Sequence, residues 1–229
     1  MKTILLAFVV GSLFCAPLSR AEDNSAAVKT GRISLFKVPL QCPAAPEIGC
    51  GSKAKPILAA LERDSIITEA WLNKAGTVLA VVGAEHSTPE SRIKAIQSVL
   101  EKRDVTATGL KGVARDTALK DFKSRSGWYR GGEVDQLSKQ EAGIIAARLL
   151  RRLQTKVSLS DEKAKALDAA FTDVFKKRFT GNPDKSKQTS LDQRNDELLK
   201  VAREHLDEKG IEALKEAVAS GLRPVANEK

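Results

Sequence analysis

The sequence predicts an α+β protein in which a β-α-β-β-α-β unit is followed by an all-helical region. Three observations carry that expectation. Short apolar runs of strand character recur up to about residue 108, turn sequences bearing glycine or proline separate them, and beyond residue 136 apolar residues recur only at helical spacing.

The elements follow in order. Ile33, Leu35 and Val38 lie in a strand-like run that ends at Pro39. Residues 41–51, QCPAAPEIGCG, read as a loop, with two prolines and two glycines. A helix is expected from about Ser52 to Arg63, with Ile57, Leu58 and Leu61 on one face and Pro56 in its early, tolerant part. Ile66–Leu72 and Thr77–Val82 read as strands joined by the turn Asn73-Lys74-Ala75-Gly76. Thr88-Pro89-Glu90 supplies an N-cap, a first-turn proline and an acid at the positive end of the helix dipole. That helix carries Ile93, Ile96, Val99 and Leu100, and Val105–Thr108 is the expected last strand. This order is the ferredoxin-like split unit, assigned to residues 32–112.

Residues 113–135 read as a linker, with Trp128 and Tyr129 in its glycine-rich part serving either to dock a partner or to tuck against a surface. Trp71 reads as core. Residues 136–229 form the expected helical domain. Ser138…Glu141 has the form of a capping box, Ser160 caps a second helix, and Ser190…Gln193 resembles another box. Gly210 is expected to break or kink the pattern before Ile211, Leu214 and Val218, and Gly221 with Pro224 to stop it. The basic residues Arg148, Arg151, Arg152, Lys176, Lys177 and Arg178 read as a solvated face.

The first residues predict export. Met1-Lys2, an apolar stretch from Ile4 to Phe14 and Ser19-Arg20-Ala21 describe a signal peptide over 1–21, followed by a disordered tail over 22–31. The apolar run is too short for a membrane span, and no later segment offers one. The expected location is periplasmic or secreted. Cleavage would remove Cys15 and the only methionine, Met1, and would lower the net charge of +9 by two through loss of Lys2 and Arg20. No run of five basic residues occurs, which argues against nucleic-acid binding.

Two cysteines remain, Cys42 and Cys50. The first ends the first strand's loop and the second stands at the head of the first helix, where a thiolate is favoured over a thiol. Three uses are open for such a pair in an oxidising compartment: a structural disulfide, a soft-metal site and thiol–disulfide exchange. The stretch RISLFKVPLQC with Cys50-Gly51-Ser52 resembles the heavy-metal-associated domain of periplasmic mercury-binding proteins and copper chaperones, over about residues 32–110. In that family a strand leads into a two-cysteine loop with the second thiol at a helix start. Here seven residues separate the thiols where the family has two, and Leu40-Gln41 replaces its methionine. The resemblance implies a metal ion held by Cys42 and Cys50, and soft-ligand logic leaves Hg(II), Cu(I) or Zn(II) for it. Zn(II) would need two further ligands. The helical segments, with Leu159-Ser160-Asp161-Glu162-Lys163 and Leu191-Asp192-Gln193, are similar to the hairpins of periplasmic stress chaperones and metal-resistance sensors.

His86 and His205 are the only histidines and read as surface or boundary residues. No G-x-S-x-G elbow, H-E-x-x-H pair or phosphate-binding glycine loop occurs, and Asp161-Glu162 and Asp207-Glu208 suit helix starts. An enzyme is not expected. The sequence points to a periplasmic protein that binds a soft metal for scavenging, delivery or sensing. The alternative is a non-catalytic, chaperone-like module with a protein partner and a Cys42–Cys50 disulfide.

Overall fold

The computed structural model describes residues 30–181 and 191–225. The expected signal at 1–21, most of the expected tail and the capping residue Ser190 lie outside the described residues. Thr30–Arg32 is a 3-10 turn, so the end of the stretch expected as disordered is already regular.

The protein is mixed α and β. Its chain runs β1 (Ile33–Lys37), β2 (Gln41–Cys42), β3 (Ala45–Gly49), α1 (Gly51–Glu62), β4 (Ile67–Asn73), β5 (Val78–Gly83), α2 (Pro89–Glu101) and β6 (Thr108–Gly109). It continues as α3 (Gly112–Ser124), β7 (Trp128–Tyr129), a 3-10 turn (Gly131–Val134), α4 (Asp135–Gln154), α5 (Asp161–Thr180), α6 (Leu191–Ala202) and α7 (Glu208–Ala219). Five strands form one antiparallel sheet in the order β6-β1-β5-β4-β7.

Strand alternation gives the sheet two apolar faces. Phe36, Leu72, Leu79 and Val81 point to one, where Ile57, Leu58 and Leu61 of α1 and Ile96 and Leu100 of α2 cover them. Ile33, Leu35, Ala80 and Val82 point to the other, under Leu119 and Phe122 of α3. Thr88 caps α2 as expected, accepting from the Ser91 amide while Ser91 returns the bond. Ile93 is 41% exposed, and the buried residue beside it is Arg92.

Several expectations change. The loop at 41–51 is a small ribbon, because Pro43 suits the second position of a tight turn and allows Cys42 to pair with Ala45. The expected last strand shrinks to Thr108–Gly109, although Val105 and Ala107 still pack on the core. Residues 113–135, read as a linker, contain α3 and the edge strand β7. Trp128 is buried there against Phe122, and Trp71 is half-buried beneath the Arg125 guanidinium.

The helical part packs α4 on α5, with α6 and α7 completing a core of Ile145, Leu149, Phe171, Phe175, Leu198 and Leu214. Gly210 does not break a helix. The break falls at residues 203–207, and Gly210 lies in the first turn of α7, donating its amide to the N-cap Asp207 at 2.8 Å. Arg148 is buried rather than solvated; its guanidinium donates to the carbonyls of Ala44 and Leu222. Among the described residues no helix is long and apolar enough to cross a membrane.

One helix ties the parts together. Val134, just before α4, and Leu137 in its first turn belong to the core under the sheet, whereas apolar residues from Ala142 to Leu153 belong to the helical core. Ser138 and Glu141 lie between the two.

Candidate functional site: a buried dithiol and carboxylate

The backbone fixes both cysteines before any ligand is considered. The Gly76 turn between β4 and β5 presses on the β2–β3 ribbon. Gly76 has φ +70°, and a Cβ there would meet the Gly49 Cα at 2.5 Å and the Leu40 carbonyl oxygen at 2.6 Å, so glycine is required. The ribbon is tied back by Gly49 N–H to the Lys74 carbonyl and Cys50 N–H to the Leu40 carbonyl, both 2.7 Å. Cys50 is thereby held as the N-cap of α1, in extended conformation. Gly51 then lets α4 approach, since a Cβ at that position would sit 2.3 Å from Ser138 Oγ and 2.7 Å from the Val134 carbonyl oxygen.

The result is a three-residue cluster. Cys42 Sγ, Cys50 Sγ and a carboxylate oxygen of Glu141 lie within 4.8 Å of one another, and all three residues are buried. Cys42 donates to Glu141 Oε1 at 3.0 Å and accepts from the Ala44 amide at 3.3 Å; Cys50 Sγ is 3.4 Å from Ser52 Oγ. Both cysteines are free thiols, so the disulfide expected as a rival use is not formed.

The electrostatics separate the two sulfurs. Cys50 is held below the usual thiol range, first by the hydrogen bond from Cys42, then by Ser52 and Lys53, against the opposing effect of burial. Cys42 is pushed up, because its proton serves Cys50 and Glu141 and because it is buried beside a carboxylate. Glu141 is pushed up to about 7, chiefly by desolvation and further by negative charge at Cys50. Its Oε2 has no hydrogen-bond partner among the described residues, and neither has Ser138 Oγ one turn earlier on α4.

The sequence reading located both sulfurs and missed the carboxylate. Ser138 and Glu141 have the spacing of a capping box, but α4 begins three residues before Ser138, so both fall inside the helix and turn toward α1. The sequence around Glu141 carries no local signal that separates this role from a cap. The histidines stay apart. His86 is exposed in the loop before α2. His205 is half-buried and lines a polar cleft of about 490 Å³ with Lys156, Lys163 and Lys209. A separate hollow of about 540 Å³, with Val78, Leu110, Ala114 and Trp128 in its wall, holds neither a cysteine nor a histidine.

No family model, curated protein or solved structure matches this chain.

Proposed function

We propose that this is an exported, non-catalytic protein that binds a soft or borderline metal ion between Cys42 and Cys50. The observation that carries the reading is two free thiols and a carboxylate, buried and within 4.8 Å of one another. Burying an acid with an unpartnered oxygen is costly unless a cation or donor meets it. Thiolate sulfur suits soft and borderline ions, and a thiolate is the form in which cysteine coordinates. The donors present therefore fit a metal. Sheet order β6-β1-β5-β4 supports reading the first four strands of the main sheet as a ferredoxin-like split unit of the heavy-metal-associated kind.

The test is titration of the fully reduced protein with Cu(I), Hg(II) and Zn(II), each against a competing chelator. One ion per chain is expected to bind, and the Cys42→Ser, Cys50→Ser double variant, with an unchanged circular dichroism spectrum, is expected to lose that binding. Failure of the wild type to outcompete a weak chelator for any of the three ions would end the reading.

A further inference from the structure

Resting on the metal-binding reading above, we infer that Glu141 is a third ligand, and that it fits the site to a borderline divalent ion of the zinc class. The two-sulfur, two-coordinate ions that the cysteine pair alone suggests do not need it.

Three observations converge on this. Glu141 is 5% exposed, and its carboxylate shares the 4.8 Å cluster with both sulfurs while Oε2 has no hydrogen-bond partner among the described residues. Ser138, fully buried one turn earlier, brings a second unpartnered oxygen against Gly51, the residue after Cys50. Buried polar atoms are nearly always bonded, so two unpartnered oxygens on successive turns beside two thiols mark a place where a polar group or ion belongs. The chemistry of the donors then selects the ion. Cu(I) and Hg(II) are satisfied by two thiolates in line and gain little from a hard carboxylate oxygen, whereas Zn(II) requires four donors and accepts sulfur and oxygen together. Two sulfurs and one carboxylate supply three, leaving one position for water or an incoming ligand. Charge argues the same way against Cu(I) alone: two thiolates and a carboxylate carry three negative charges, and a divalent ion leaves one, where a monovalent ion would leave two in a buried place; between Zn(II) and Hg(II) the carboxylate donor decides.

The source of the third donor adds a consequence for the fold. Both thiols come from the ribbon and the start of α1, while Glu141 comes from α4. A zinc-class ion would thus fasten the helical part to the sheet layer, and a two-sulfur ion would not.

The decisive comparison is wild type against Glu141→Gln, which keeps the shape and removes the charge, with Glu141→Asp as a second variant that keeps the charge and withdraws the oxygen. The probes are Zn(II) by competition, Co(II) by its visible and thiolate charge-transfer absorption, and Cu(I) by competition. Losing one ligand is expected to weaken Zn(II) and Co(II) binding by at least roughly tenfold to a hundredfold, and to change the Co(II) spectrum, while Cu(I) affinity moves by less than about threefold. Glu141→Asp is expected to fall between. Equal Zn(II) affinity in wild type and Glu141→Gln, with Cu(I) still bound, would overturn the third-ligand assignment and leave the cysteine site standing. Absence of binding by every ion in wild type would instead overturn the metal reading itself.

Discussion

Arg92 and Glu141 are both buried charges, 3% and 5% exposed, and the protein treats them oppositely. Arg92 donates Nη1 to the Ser87 carbonyl and hydroxyl, Nη2 to the Gly31 carbonyl at 2.8 Å and Nε toward Ser34 Oγ at 3.5 Å. Every arm of its guanidinium has a partner. Glu141 uses one oxygen, on a thiol, and the other has no partner among the described residues. A buried charge bonded all round is a latch, here closing the 3-10 turn and β1 onto the start of α2. A buried charge bonded on one side only, next to two thiols, is a group waiting for something else. Satisfaction, more than burial, separates the structural charge from the functional one.

The largest effect on stability should come from the latch. Arg92→Met keeps the aliphatic length but strips the donors from the Gly31 and Ser87 carbonyls, which then lack partners in a nearly buried setting. A loss of about 2–4 kcal/mol is expected in urea unfolding, with metal affinity of the folded protein unchanged. If Arg92→Met cost less than Glu141→Gln, the distinction between the two charges would be wrong.

A smaller effect, but one that joins fold to site, is expected at Gly51. Alanine there would gain some helix propensity, yet its Cβ meets the Val134 carbonyl oxygen at 2.7 Å and the Ser138 amide nitrogen at 2.9 Å. These are backbone atoms of the turn that leads into α4 and of α4 itself, so α4 must move away. Gly51→Ala should cost about 1–3 kcal/mol and should also weaken Zn(II) more than Cu(I), because it shifts Glu141 without touching either sulfur. Equal weakening of both ions would mean that the helix start, not α4, had been displaced.

The same contrast shows what a sequence can and cannot tell. Strands β1, β4 and β5 and helices α1 and α2 fall near their expected positions, since each is set by local alternation, a cap such as Thr88 or a turn such as residues 73–76. The sulfurs were legible for the same reason: they flank a strand and a helix start. Glu141 was not, because its role depends on Gly51 admitting α4, a close approach of Gly51 to Ser138, 87 residues further along the chain. Local spacing gave Ser138 and Glu141 a plausible meaning as a cap, and nothing nearby contradicted it. The edge strand at Trp128–Tyr129 was missed on similar grounds, as two residues acquire strand character only by pairing with β4. Arg148, read as part of a solvated face, is buried because it reaches the Ala44 and Leu222 carbonyls from the middle of α4.

The finest test of the contrast is the pH dependence of the metal-free protein. Glu141 is pushed up to about 7 in the folded chain, against an ordinary value near 4.5. Between those values the folded chain keeps a proton that the unfolded chain has released. The carboxyl's contribution to stability is therefore fully present below about pH 4.5 and is lost as pH rises toward 7, with a slope of at most about 1.4 kcal/mol per pH unit. Cys50, held low, acts with the opposite sign from about pH 5 upward, so the wild-type profile alone is ambiguous. Subtracting the Glu141→Gln profile isolates the carboxyl together with its coupling to the two thiols, whose own titration Glu141 also influences. The metal-free variant should match wild type near pH 4 and become the more stable of the two by pH 7.5. Saturating Zn(II) should reverse the order by stabilising only the protein that keeps the third ligand. Superimposed metal-free profiles would mean that Glu141 is as well satisfied as Arg92, and the contrast between latch and site would then fall.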